Sequence, residues 1–258
     1  MSEKFGKDLT VGSIPRHLLT FSIPMLIGNL IQVGYSIINT IWVGNIVGKD
    51  GVGAITVSFQ IIFILLAVAA GATIATTIMV SQYFGAKDYD MVEKVVNTSF
   101  AVTFILGTIL TIVGIAVSDS ILRLMGTPPE VFDMASSYLK ITLAGFIPMY
   151  FGMLIMSILR GIGDTMTPLT FMAVGIGLNA ILDPFLIIGI WPFPRLGLDG
   201  AAIASLIAQI VALIIGLIYL NRKGHILAIN AKKIVFDKHI ACLLYTSDAA
   251  DEEDSLDV

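Results

Sequence analysis

Six runs of apolar residues dominate the chain, at 20–44, 53–81, 95–117, 136–158, 168–191 and 199–220. Each reaches the roughly 20 residues that an α-helix needs to cross a bilayer. Backbone groups in hydrocarbon must be bonded within their own segment, so runs of this length are expected as helices. Short polar stretches separate them: 48–51, 85–90, 126–130, 160–164 and 192–199. Such short turns make successive helices antiparallel. The pattern predicts an all-α integral membrane protein with six transmembrane helices over 20–220. A polar segment, 1–19, precedes them without the pattern of a signal peptide. Residues 221–239 mix Lys with apolar side chains and read as an interfacial linker. A new apolar run begins at Ile240 and stops after six residues. The acidic stretch that follows it reads as non-native, so 240–258 is set aside as a truncated run with a foreign tail.

Composition agrees. Hydrophobic residues make up 56% and charged residues 13% of 258, with mean hydropathy +0.91, where a soluble domain carries about 25% charged. The net charge of −4 comes from the last twelve residues, which hold six acids; without them the balance is 15 bases to 13 acids. Nothing in it points to nucleic acid. Cys242 is the one cysteine, so there is no disulfide framework.

Lys and Arg set the orientation. With the N-terminus inside, inner segments carry eleven basic residues and outer ones four (Lys49, Arg123, Lys140 and Arg195). Both ends are therefore expected in the cytoplasm, and the protein in the plasma (inner) membrane.

Inside the spans, one acidic residue stands out. Asp183 lies deep in 168–191, with Asn179 one turn earlier on the same face and Gly175 one turn before that. An intramembrane carboxylate costs several kcal/mol and marks a functional candidate. Pro184 removes a donor and clashes with the carbonyl four residues back, so the ladder beside Asp183 should weaken. A polar face next to a broken ladder is how transporters build ion sites. A boundary reading stands beside it, with Asp183 capping a helix that breaks at Pro184. In the first span, Gly28, Gln32, Ser36 and Asn39 share one face, and Pro24 predicts a kink. Gln32 and Asn39 serve equally as interhelical glue. Tyr35, Trp42 and Trp191 read as interface anchors. The small residues Gly200, Ala204, Ala208, Ala212 and Gly216 form a packing stripe. Arg160 and Asp164 read as an ion pair in a Gly-rich turn. An enzyme is not expected. The stretch Gly161 to Asp164 has the Gly-x-Gly-Asp pattern of intramembrane aspartyl proteases, but the helix beside it supplies no second Asp, and no hydrolase or nucleotide motif is present.

Several stretches together resemble the multidrug and toxic compound extrusion (MATE) transporter family. They are Ile37-Ile-Asn-Thr-Ile-Trp-Val-Gly44, Ser81-Gln-Tyr-Phe-Gly-Ala-Lys87, Arg160-Gly-Ile-Gly-Asp-Thr-Met-Thr-Pro168, Leu178-Asn-Ala-Ile-Leu-Asp-Pro184 and Gly200-Ala-Ala-Ile-Ala-Ser205. The resemblance implies one six-helix lobe of a twelve-helix transporter, with the C-terminal lobe missing from this chain. It implies secondary active multidrug efflux, the antiport of small lipophilic cations against H⁺ or Na⁺. No cofactor beyond the coupling ion is implied. By the same resemblance, Gln32, Asn179 and Asp183 match a first-lobe cation site, and Asn39 falls where the family branch has a second Asp. Ser36 and Ser205 complete the expected cavity, with Na⁺ held at Asp183 and Asn179. The alternative is a lipid-linked oligosaccharide flippase of the same superfamily. Its anionic cargo would favour Arg or Lys within the cavity.

Overall fold

A computed structural model describes residues 14–190, 193–221, 237, 240–242 and 244. Seven α-helices occur among them, and no strand: α1 (Ile14–Ile46), α2 (Lys49–Gly85), α3 (Tyr89–Leu124), α4 (Pro129–Ala144), α5 (Phe146–Gly161), α6 (Met166–Ile188) and α7 (Leu198–Leu220). Five are long and apolar enough to cross a membrane alone, and α4 with α5 makes a sixth span bent by 47°. This is an all-α, multi-pass membrane protein. The six spans stand where the apolar runs are, most with wider limits, although α6 ends at Ile188, three residues before the expected end. α2 takes in Lys49 to Gly51, expected as a turn. Both α2 and α3 are about 54 Å long at 1.5 Å per residue, well beyond a hydrocarbon core of about 30 Å.

The fourth span corrects the expectation of a continuous helix. It breaks at Gly145, whose N–H is shared between the carbonyls of Ile141 (3.2 Å) and Thr142 (3.0 Å). Pro148 has no N–H for the Ala144 carbonyl, and its ring crowds the preceding turn. The sequence carried both residues; their joint effect was missed.

Pro184 leaves the Ala180 carbonyl without its helical donor, as expected, but it does not end the helix. α6 runs through it to Ile188 and ends at Gly189 in the left-handed conformation, φ 80°. A Cβ there would also stand 2.5 Å from the Arg195 backbone, so only glycine fits. Asp183 is therefore inside an unbroken helix, not a cap at its end. α1 likewise continues through Pro24.

Packing is organised around two core clusters at opposite ends of the bundle. One gathers Val92, Val95, Leu154, Ile158 and Leu220 where α2 ends and α3 begins. Ile240 and Leu244, from the short apolar run, are buried in it. The other joins Val43, Ala54, Leu122, Leu139, Ile187 and Leu198 at the far end. α7 is packed by α4, α5 and α6, and α1 lies mainly on α6. The small-residue stripe of α7 is in use: Gly200 meets the Leu186 backbone, Ala212 meets Gly175, and Gly216 meets Ile155.

Asp164 does not pair with Arg160. Its carboxylate instead caps α6, accepting from the N–H groups of Met166 (3.1 Å) and Thr167 (3.0 Å) and from Thr167 Oγ1 (2.6 Å). Because α3 extends to Leu124, beyond the expected limit of 117, it takes in Asp119. Asp119 accepts from Lys140 Nζ (2.7 Å) and Ser136 Oγ (2.5 Å) of α4, and both charged side chains are about half exposed. The expectations for 1–13, for Trp191 and for most of 222–258 lie outside the described residues.

Candidate functional site

Three helices converge on Asp183. It is 2% exposed, near the end of α6 that leads into α7. Tyr35 of α1 donates from its hydroxyl to Asp183 Oδ2 at 3.0 Å. Asn179, one turn back on α6 and 6% exposed, lies between Asp183 and Ser205 of α7. With its nitrogen toward the carboxylate, Asn179 donates to both Asp183 oxygens at 2.9 Å, and its oxygen accepts from Ser205 Oγ at 2.7 Å. That orientation leaves no acceptor facing an acceptor. Tyr35 Oη also meets the Asn179 amide. Tyr138 of α4 stands close enough to feel the Asp183 charge.

The geometry follows from periodicity. Positions 179 and 183 are four apart, so both side chains leave α6 on one face. α7 can approach that face closely because Gly200 has no Cβ; one built there would be 2.4 Å from Leu186 O. Asn179 is therefore within direct hydrogen-bond reach of Ser205. The result is a compact polar set around one carboxylate: a phenol and an amide that donate to it, and a hydroxyl that holds the amide. Neither Lys140 nor Arg123 belongs to it; Lys140 is committed to Asp119, and Arg123 lies over the Phe132 ring at 5.3 Å. A single carboxylate among neutral polar groups suits a proton, or a hard monovalent cation once the amide turns its oxygen inward.

Of the six residues expected at the site, the structure brings together Asp183, Asn179 and Ser205. Gln32 and Ser36 lie on the exposed side of α1. Asn39 is half-buried, and its Oδ1 is enclosed without a partner. The residue that reaches Asp183 from α1 is Tyr35, which corrects its reading as an interface anchor. A signal for it was present: Tyr35 is three residues after Gln32 and four before Asn39, so it belongs to the same helix face. Trp42, the other described anchor, is exposed.

Comparison with known proteins identifies the family. The family model MatE matches residues 24–185. The probable multidrug resistance protein YoeA of Bacillus subtilis is 32% identical over 90% of this chain and 51% of its own length. The multidrug export protein MepA of Staphylococcus aureus is 30% identical over 83% of this chain and 47% of its own. Among solved structures, an outward-facing multidrug resistance MATE family transporter of the MOP superfamily superposes with a TM-score of 0.85 at 29% identity, over 94% of this chain and 53% of that one. A MOP superfamily transporter from Pyrococcus furiosus superposes at 0.87 and 29%, over 96% and 54%; for that protein, the reversed polarity of its binding pocket is said to suggest a different function. The chain spans about half the length of the relatives it matches. The family match over residues 24–185, with the two relatives aligned along most of the sequence, establishes that this chain belongs to the MatE family.

Proposed function

We propose that this chain is the first lobe of a secondary active multidrug efflux transporter, and that Asp183 is its coupling group. The observation that carries the reading is the convergence of Tyr35, Asn179 and Ser205 on one carboxylate that is almost fully enclosed. Held as an anion, Asp183 attracts a lipophilic organic cation to the lobe. Neutralised by H⁺, or balanced by Na⁺ among the oxygens of Asn179, Tyr35 and Ser205, it loses that attraction. A charge enclosed in hydrocarbon costs several kcal/mol, so the two states favour different packings of α1 against α6 and α7. The ion thereby exchanges with the drug. The second lobe supplies the other wall of the cavity, and the orientation with both ends in the cytoplasm of a plasma (inner) membrane protein follows from the basic residues of the connections. The multidrug names of the relatives support this reading. The flippase alternative has no support from them, and among the described residues no basic side chain joins the cluster.

The test uses the full-length protein in inverted membrane vesicles. Uptake of a fluorescent cationic dye is followed under a pH gradient and, separately, a Na⁺ gradient. Wild type should accumulate dye under one of them, and Asp183→Asn at equal membrane abundance should not. Gradient-driven uptake that survives Asp183→Asn would make the cluster structural and move coupling elsewhere.

A further inference from the structure

Gln209 belongs to none of the contacts described above. It follows Ser205 by one turn of α7, on the same face. It is about 17 Å along the helix from Leu198, at mid-bilayer depth. It is half-buried, and among the described residues its amide makes no hydrogen bond. Its amide therefore has bonding capacity that the fold as described does not use.

Its surroundings supply one. Gln209 Oε1 stands 3.3 Å from where a Cβ on Gly145 would be, beside Leu206 Cδ1 at 3.1 Å and the Thr142 carbonyl at 3.3 Å. Gly145 is the break between α4 and α5. There Pro148 leaves the Ala144 carbonyl without its helical donor. Thr142 Oγ1 donates to the Tyr138 carbonyl at 2.8 Å, a local bond of the kind that bends helices. The most weakly bonded stretch of the fourth span thus faces an unpartnered amide. α4 is also tied to α7 nearer its middle, where Ser137 Oγ donates to Asp199 at 2.7 Å. The 47° bend therefore has one arm attached to α7 near the start of that helix and its vertex against the side chain one turn from Ser205.

We propose that Gln209 is a positioning residue that couples occupancy of the Tyr35–Asn179–Asp183–Ser205 cluster to the angle between α4 and α5, donating from its amide to the Ala144 carbonyl that Pro148 leaves free in one state and withdrawing in the other. The proposal rests on the cluster being the ion site. Movement of Ser205 about a bound ion carries Gln209 with it, because the two are on one rigid turn. A hinge beside an amide is a two-state element that small shifts can switch.

The experiment is hydrogen–deuterium exchange on the full-length protein, with and without Na⁺ and at two pH values, joined to vesicle transport. Wild type should show ion-dependent exchange at 175–186 and at 141–149. In Gln209→Met, which keeps length but not hydrogen bonding, the change at 175–186 should remain and that at 141–149 should vanish. The maximal transport rate should fall about tenfold, the worth of one hydrogen bond, at an unchanged half-saturating ion concentration. Gln209→Asn should recover part of the rate. Pro148→Ala, which restores the missing donor, should lose the hinge response in the same way, and the double variant should be no worse than either single one. The coupling is overturned if 175–186 responds to the ion while 141–149 does not, or if Gln209→Met keeps both responses. It is also overturned if Gln209→Met weakens ion affinity as Asp183→Asn does, since Gln209 would then be a ligand. An absent response at 175–186 in wild type would instead remove the ion-site reading, and this inference with it.

Discussion

Tyr35 shows what a single residue contributes. Its hydroxyl is the one donor from α1 to the Asp183 carboxylate, so Tyr35→Phe removes a hydrogen bond to a charged group without altering shape. Such a bond is worth about 1.5–3 kcal/mol. The variant should fold normally and shift the half-saturating ion concentration at least about tenfold, a change read from ion-titrated dye transport. Ser205→Ala tests the other side. It takes away the hydroxyl that orients Asn179, so the effect on ion affinity should be of the same sign, and smaller because the lost bond is between neutral groups. An unchanged ion dependence in both would detach these residues from coupling. The pair Asn179 and Asp183 was legible in the sequence because i, i+4 spacing is a property of the helix alone. Tyr35 was on the marked face of α1 yet was assigned to the interface, since a tyrosine near a span end suits both places. The choice depended on how α1 is rotated against α6, which no local pattern encodes.

At the level of the elements, the apolar runs gave the spans directly, because the requirement to satisfy the backbone in hydrocarbon leaves few alternatives. Proline was the weaker guide. Pro184 is tolerated within α6, whereas Pro148 cooperates with Gly145 to break the fourth span. The difference lies in the neighbour: Gly145 is a poor helix former, and its missing Cβ lets Leu206 and Gln209 of α7 come close at the bend. Asp164 was similarly misread as an ion-pair partner, although Asp followed three residues later by Thr167 is a helix-capping arrangement. Asp164→Ala should lower thermal stability in detergent by about 1 kcal/mol, the usual worth of a cap, with little effect on ion affinity. Gly200→Val should do more. Its side chain would be driven into the Leu186 carbonyl, at 2.4 Å for the Cβ alone. Forcing α6 and α7 apart costs about 1–3 kcal/mol and pulls Ser205 from Asn179. Both stability and ion affinity should fall, and loss of one without the other would show that the two are not joined through this contact.

The whole lobe has two kinds of exposed surface, and they should behave differently in the membrane. α3 shows Phe104, Ile105, Ile112 and Val113 to its surroundings, a largely apolar face in which Thr108 bonds its hydroxyl back to the Phe104 carbonyl, suited to lipid tails. α1 is the least enclosed span, with 11% of its most apolar window buried, yet its exposed side carries Gln32 and Ser36 among Leu30, Val33 and Ile37. Polar side chains facing lipid are disfavoured, so the polar part of that face is expected to line water. The proposed second lobe would close a cavity on that side. Single cysteines in full-length protein, with Cys242 replaced by Ser, separate the surfaces. Gln32→Cys and Ser36→Cys should react with a membrane-impermeant maleimide, and a transported cation should slow the reaction. Ile112→Cys, fully within the apolar face of α3, should stay unreactive under the same conditions. Equal inertness at all three positions would mean that α1 faces lipid, and Asp183 would then need another route to its substrate. Reaction at Gln32 and Ser36 with protection by the drug would place the cargo within reach of Tyr35, on the same helix and one turn or less away, where its charge meets that of Asp183.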